Sequence, residues 1–149
     1  MALPNKLKQM IGKATRPVVH EVEKGQIRRF ASAFGEENPV HFDEKMARAS
    51  GFSSLVAPPT FPVALCTTDP LLTEIGLDPQ STMHAEEEYE YFRPICAGEL
   101  ITVTHRIADV YDKQAPNGRL VFVVIETRGN DKRGRPVFKG RRVLVELKN

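Results

Sequence analysis

Between Leu100 and Leu147 the chain passes through three strand-like segments, Leu100 to Val110, Leu120 to Thr127 and Pro136 to Leu147, each rich in β-branched residues. Two turn signals separate them, Asn117-Gly118 and the stretch Asn130 to Gly134. Asn-Gly between apolar runs is a strong local hairpin signal. Strands joined this closely must pair antiparallel, because a parallel crossover needs about a dozen residues or more. A fourth segment begins at Thr82, alternates Tyr89 and Tyr91 with Glu86, Glu88 and Glu90, and closes at Arg93-Pro94. These four segments predict an antiparallel meander and exclude a fold built on a parallel sheet.

The first half of the chain has a different period. Val18 to Glu23 is expected as one short strand ended by Gly25. Ile27, Phe30, Ala31 and Phe34 then fall at i, i+3, i+4 and i+7, the spacing of one buried helix face, with Gly35 as its stop. Asn38-Pro39 marks a turn, and Asp43 is placed to cap a second short helix through Ala49, stopped by Gly51. Proline is tolerated in a first helical turn. The run Ala57-Pro58-Pro59-Thr60-Phe61-Pro62 therefore predicts a helix from near Pro59 to about Thr68, with Phe61, Ala64 and Leu65 apolar. Pro70 should break or restart it, leaving a further turn or two over Leu71 to Leu77. A strand, then helices, then four strands is an α+β order. At 149 residues the chain is expected to be a single domain, 1–149.

Composition removes whole classes of function. The longest aliphatic and aromatic run, Val121 to Ile125, is far short of the ~20 residues that span a bilayer. Met1 to Lys13 is basic with no apolar run behind it, so no secretory signal and no membrane association are expected. Cys66 and Cys96 form neither a disulfide framework nor a metal knuckle, which suits a reducing cytoplasm; Cys66 is expected to be buried and inert. A net charge of +2 gives no reason to invoke nucleic acid.

Four histidines remain as candidate chemistry: His20, His41, His84 and His105. None has a metal-binding spacing, so no metal is expected. His20 and His105 fall inside strand patterns, and His84 stands beside glutamates as a solvated ion pair. His41 follows a helix and sits in the turn Gly35-Glu36-Glu37-Asn38-Pro39-Val40-His41-Phe42-Asp43. A carboxylate and an imidazole five residues apart, folded together by a proline turn, can converge on one water molecule, and imidazole titrates near physiological pH. On residues alone a purely structural turn is the commoner meaning of such a pair. If His41 is catalytic its removal should change stability little, since a turn histidine is not a core residue, whereas a large loss would favour the structural turn.

That turn resembles the hydratase motif of the MaoC-like, (R)-specific enoyl-thioester hydratases and dehydratases. Ile11-Gly12, Ala57-Pro58-Pro59-Thr60-Phe61 and Tyr91-Phe92-Arg93-Pro94-Ile95-Cys96-Ala97-Gly98-Glu99 are also similar to this family, in particular to its dehydratase-like N-terminal-domain branch. The resemblance implies a hot-dog fold, an antiparallel sheet wrapped round a central helix. It implies hydration of an α,β-unsaturated acyl thioester or the reverse dehydration, with coenzyme A or an acyl carrier protein as the acyl carrier and no other cofactor. By position, His41 matches the catalytic histidine and Glu36 takes the place of the catalytic aspartate, while Asn38 and Pro39 shape the turn. Backbone N–H groups at the start of the central helix, at Thr60 and Phe61, would hold the thioester oxyanion. Substrate contacts would involve Asn38, Pro59, Thr60 and Phe61; the apolar set Phe61, Leu65 and Leu72 is either the lining of an acyl tunnel along the central helix or, as such residues more often are, simply core.

Two departures stand out. Glu36 is one methylene longer than aspartate, and a displacement of ~1 Å can cost on the order of 100-fold in rate. Pro58-Pro59-Thr60 replaces the family's His-Gly-Met, so Pro59 removes the N–H that the glycine supplies. Family members pair edge to edge, so a homodimer or larger even oligomer is expected, or a heterodimer with a second MaoC-like chain. In the heterodimer case the chain could be a catalytically silent acyl-binding subunit. Finally, Arg128 to Arg142 carries Arg128, Lys132, Arg133, Arg135, Lys139, Arg141 and Arg142 against the single acid Asp131. The run is either a solvated hairpin or a landing site for carrier phosphates or an acidic carrier protein.

Overall fold

Alternation of apolar and polar residues sets one sheet face inward along every long strand. In the computed structural model, which describes residues 5–66 and 70–148, this yields a single antiparallel sheet. Its strands are β1 (Val18–Glu21), β2 (Thr82–Tyr91), β3 (Leu100–Ala115), β4 (Gly118–Asn130) and β5 (Pro136–Lys148), in the order β1-β3-β4-β5-β2. The two hairpins lie at the Asn117-Gly118 and Asn130–Gly134 signals, and β3 and β4 run several residues further than their apolar content indicates.

The strand order corrects the expected four-strand meander. Only β3, β4 and β5 form one; β2 pairs with β5 at the far edge, nine register pairs from Thr82↔Glu146 to Tyr91↔Phe138. The reason lies in the segment 92–99, which crosses the end of the sheet instead of turning back. Backbone bonds hold it there: Ala57 N–H to the Ile95 carbonyl (2.8 Å), Ala97 N–H to the Leu55 carbonyl (2.8 Å) and Gly98 N–H to the Val22 carbonyl (2.7 Å).

Among the described residues four short α-helices accompany the sheet: α1 (Asn5–Lys8), α2 (Lys24–Ala33), α3 (Glu44–Ala49) and α4 (Pro70–Ile75). On α2, Ile27 and Ala31 are fully buried and Phe30 meets Phe61 edge-on at 5.5 Å. Phe34, expected on the same face, is 53% exposed. It is the C-cap, where the backbone already leaves the helix, and Gly35 follows at φ +73° to turn the chain away. Asp43 caps α3 as expected, accepting from Met46 N–H at 3.1 Å. Among the described residues no helix is long and apolar enough to cross a membrane.

The helix expected from Pro59 to Thr68 is replaced by a 3₁₀ segment, Phe61–Leu65; Thr67 and Thr68 lie outside the described residues. Pro58, Pro59 and Pro62 have no N–H, so the first donor able to start an α ladder is Val63, whose α partner would be the Pro59 carbonyl. The Tyr91 hydroxyl takes that carbonyl at 2.7 Å. Val63 N–H turns to Thr60 instead (3.1 Å) and Cys66 N–H to Val63 (3.1 Å), which is i→i+3 bonding. Phe61 and Leu65 still reach the core, packed with Ile27, Leu55, Ile95, Ile101 and Phe138. A second cluster, including Leu7, Met10, Leu71, Ile75, Ile107 and Val121, fills the other end of the sheet.

Gly129 and Phe138 lie directly opposite each other on β4 and β5, and the ring occupies the space above the glycine. A Cβ at position 129 would meet Phe138 Cε1 at 2.1 Å. Phe138 is 1% exposed and cannot withdraw. Gly129→Ala should therefore destabilise the protein by about 1–3 kcal/mol or more, read as a lowered denaturation midpoint at unchanged m-value.

Candidate active site

The turn after α2 is built by its own side chains. Asn38 Oδ1 accepts from Val40 N–H at 3.2 Å, Pro39 supplies its fixed φ, and Pro39–His41 closes as one 3₁₀ turn. Glu36 folds back on the same loop, its Oε1 accepting from the N–H groups of Glu37 and Asn38, each at 3.0 Å. The Asn38 N–H first, then the Glu37 N–H, with a weaker contribution from the His41 ring, hold the Glu36 carboxyl below the ordinary carboxylate range against the opposing effect of desolvation. Oε1 is committed to the loop.

His41 is buried, 6% exposed, and its Nδ1 lies 2.6 Å from the Val56 carbonyl oxygen. A carbonyl can only accept, so Nδ1 carries a proton, and in the neutral ring the lone pair is on Nε2. The same Val56 donates its N–H to the Val40 carbonyl at 3.0 Å. Two bonds thus staple the histidine turn to the proline loop. The expectation that His41 matters little to stability is corrected here: its removal would leave a buried carbonyl without its donor, a cost of about 1–3 kcal/mol.

The two segments enclose one side of a cavity of about 620 Å³, and residues 91–95 at the end of β2 form the other. Glu36, Asn38, His41 and Pro59 all line it. Thr60 is exposed beside it, and the Phe61 ring is fully buried in the core. Backbone donors are scarce in the proline loop. Val56 and Ala57 N–H are already bonded, Phe61 N–H goes to the Pro58 carbonyl at 2.9 Å, and Pro58 and Pro59 have none. Among the described residues only the Thr60 N–H, of positions 56 to 61, is left without an acceptor.

Two lining residues were not anticipated as site residues. Tyr91 ends β2 with its ring turned into the core cluster and its hydroxyl on Pro59; burial raises its phenol above the ordinary value, so it remains a donor. Arg93 donates to Glu99 Oε1 at 2.6 Å and to the Pro94 carbonyl at 3.1 Å. It lines both the main cavity and a neighbouring basin that also holds Lys132, Arg133 and Arg135. The alternation of Tyr89 and Tyr91 was the available signal, since it turns Tyr91 inward just before the chain leaves the sheet.

The basic run divides into three. Arg142 points inward and is buried, whereas Arg128, Lys139 and Arg141 belong to the outer face. Lys132, Arg133 and Arg135 stand at the β4–β5 turn, knitted by Asp131, which accepts from the N–H groups of Arg133 and Arg135 (2.9 and 3.0 Å) and from Arg135 Nε (2.8 Å). The remaining histidines lie apart from the cavity: His20 is on β1 opposite Ile101, His84 pairs with Glu87 at 2.5 Å, and His105 is buried against Thr127 at 2.8 Å. Cys66 is buried, its thiol donating to the Pro62 carbonyl. The Leu72 side chain lies outside the described residues.

The model of the FAS1-like, dehydratase domain region matches residues 9–140. A UPF0336 protein of Streptomyces avermitilis is 37% identical over 98 residues, covering 61% of this chain and 63% of that protein. A UPF0336 protein of Saccharopolyspora erythraea is 33% identical over 144 residues, 91% of this chain and 87% of that one. The first-named alignment thus spans about three-fifths of its relative's length. Among solved structures, the C-terminal truncated HadBC (3R-hydroxyacyl-ACP dehydratase) complex of Mycobacterium tuberculosis superposes with a TM-score of 0.79 at 23% identity, over 91% of this chain and 96% of that one. A MaoC-like dehydratase superposes with a TM-score of 0.81 at 20% identity, over 95% of this chain and 43% of that one. The superpositions, each over more than nine-tenths of this chain, show a shared fold, one antiparallel sheet curled round buried apolar segments. The chain belongs to the FAS1-like dehydratase-region family and has the hot-dog fold of the MaoC-like hydratases and dehydratases.

Proposed function

We propose that this chain hydrates trans-2-enoyl thioesters, or dehydrates (R)-3-hydroxyacyl thioesters, in the cavity between Glu36 and His41. The observation that carries the reading is the His41–Val56 bond, which fixes Nδ1 as the donor and leaves Nε2 of the neutral ring as the acceptor, in a cavity that also holds the Glu36 carboxylate. In hydration, Glu36 accepts one hydrogen of the water and His41 Nε2 removes the other as the oxygen bonds to the β-carbon. The π electrons move to the thioester oxygen as an enolate, and the Thr60 N–H stabilises it. Proton return from Nε2–H to the α-carbon completes the addition; dehydration is the reverse. Lys132 and Arg133, exposed beside Arg93, suit the phosphate of coenzyme A or of a carrier-protein arm.

A second reading has its own support. The proline loop supplies a single backbone donor where an oxyanion hole is stronger with more, and this favours an acyl-binding subunit that works beside a catalytic hot-dog partner. The HadBC structure is itself a complex, which supports an oligomeric state for this chain.

The purified chain, mixed with a short trans-2-enoyl thioester, should consume the conjugated double bond. His41→Asn keeps an N–H donor for Val56 but has no Nε2, so kcat/KM should fall at least ~100-fold with less loss of Tm than His41→Ala. Equal activity of wild type and His41→Asn would remove His41 from the chemistry, and an inactive wild type would select the binding-subunit reading.

The Glu36 carboxylate gives a pH signature. Its folded pKa is depressed, so the stability it contributes is fully present above the ordinary glutamate value of ~4.3 and is lost as pH falls through the lower folded value. Wild type should therefore melt above Glu36→Gln near neutrality, and the gap should close toward pH 3 in paired thermal scans.

A further inference from the structure

Arg128 on β4 and Lys139 on β5 lie directly opposite each other, on the outer face of the sheet and both exposed. Like charges directly opposite in an antiparallel pair are destabilising. Elsewhere the sheet meets such charge with a carboxylate. Arg119 and Lys148 are also opposite each other, and there Asp112 takes Arg119 at 3.2 Å while Glu146 takes Lys148 at 2.7 Å. Arg106 bonds Glu126 at 2.5 Å, and Arg141 bonds Glu86 at 2.6 Å.

Among the described residues Arg128 and Lys139 have no such partner, since neither makes an ion pair or a side-chain hydrogen bond. On β3 the residue opposite Arg128 is Thr104. Glu90 stands opposite Lys139 on β2, yet the ammonium lies over the Phe92 ring, 5.4 Å from its centroid. The pair is thus a double cation without a counter-charge, held side by side by two bonded strands.

A depression of about 400 Å³ opens from these two side chains toward the β4–β5 turn, lined by Arg128, Asn130, Gly134, Pro136, Phe138 and Lys139. It holds two cations, one side-chain amide and no acid. A smaller depression, about 260 Å³, shares the same cations with Glu88, Glu90 and Glu126, so an anion is favoured only on the turn side. Arginine's planar fork suits phosphate oxygens, and lysine adds a point charge. The turn-side depression has no lining residue in common with the Glu36–His41 cavity. Nor does it share one with the basin of Lys132 and Arg133, where Glu21, Glu99 and Asp131 also sit. It is still a neighbour of the cavity, because Phe92 lines that cavity and carries Lys139 over its ring.

We propose that Arg128 and Lys139 form a binding site for a phosphate-bearing anion of about diphosphate size, whose charge offsets the repulsion between them. The site stands independently of the catalytic reading. Two sources carry this chemistry, the nucleotide end of coenzyme A and a free inorganic phosphoryl anion.

Calorimetric titration and thermal scans of the full chain with inorganic pyrophosphate test the proposal without turnover. Pyrophosphate should bind and raise Tm beyond the effect of sodium chloride at equal ionic strength, because a ligand of the folded state stabilises it by mass action. Arg128→Gln and Lys139→Gln should each weaken that binding at least ~10-fold, the loss of one hydrogen bond to a charged group. Without pyrophosphate the same variants should melt no lower than wild type, since each substitution removes the repulsion. Coenzyme A then identifies the source. If its affinity also falls in Arg128→Gln, the site takes the phosphates of coenzyme A; if only pyrophosphate is lost, the site takes a free anion. No binding beyond the salt effect, or two variants that both melt below wild type in the absence of the anion, would overturn the proposal. So would binding that survives Arg128→Gln but is lost when Lys132→Gln and Arg133→Gln are combined. An inactive chain that binds pyrophosphate through Arg128 would sink the catalytic reading and leave this one standing.

Discussion

The 2.6 Å contact between His41 Nδ1 and the Val56 carbonyl joins two segments that would otherwise be separate surface loops. Val56 is well placed for the task. Its N–H returns to Val40, its carbonyl faces the imidazole, and it forms a β-bridge with Cys96 on the crossing segment. One residue thereby ties the histidine turn, the proline loop and the sheet-end crossover into one wall. Because the acceptor is a carbonyl, the bond also sets the tautomer of the neutral ring, with the proton on Nδ1 and the lone pair on Nε2.

The sheet contributes rigidity by removing side chains as much as by adding them. At Gly129 and Gly140 the space belongs to rings from adjacent strands, Phe138 over the first and Tyr89 over the second. Cross-strand aromatic–glycine pairing lets the sheet curl tightly while those rings meet Tyr91, whose hydroxyl reaches the proline loop. Core packing and site geometry are therefore linked through the aromatic residues of β2 and β5.

Strand content was legible from the sequence because hairpin turns and β-branched alternation are local signals. The place of β2 was not. Nothing in Thr82 to Tyr91 states which neighbour it takes, and the eight residues from Phe92 to Glu99 cross the sheet through backbone bonds to Val22, Leu55 and Ala57 that only the tertiary fold creates. The histidine turn was legible as a unit, with Asn38, Asp43 and Gly35 in their expected local roles. The proline-loop helix was not, since its outcome depends on a hydroxyl 32 residues away taking one carbonyl. Arg142 and Glu146 escaped a reading based on charge runs because strand alternation, not composition, sends them inward, where Glu146 accepts from Asp78 N–H and meets Lys148.

The bond from Tyr91 to the Pro59 carbonyl also constrains how this site can change by descent. Replacing Pro59 by glycine restores an amide but leaves the phenol on the carbonyl, whereas replacing Tyr91 by phenylalanine removes the competitor and leaves the proline. Each change alters the setting in which the other acts, so substitutions at positions 59 and 91 should be non-additive.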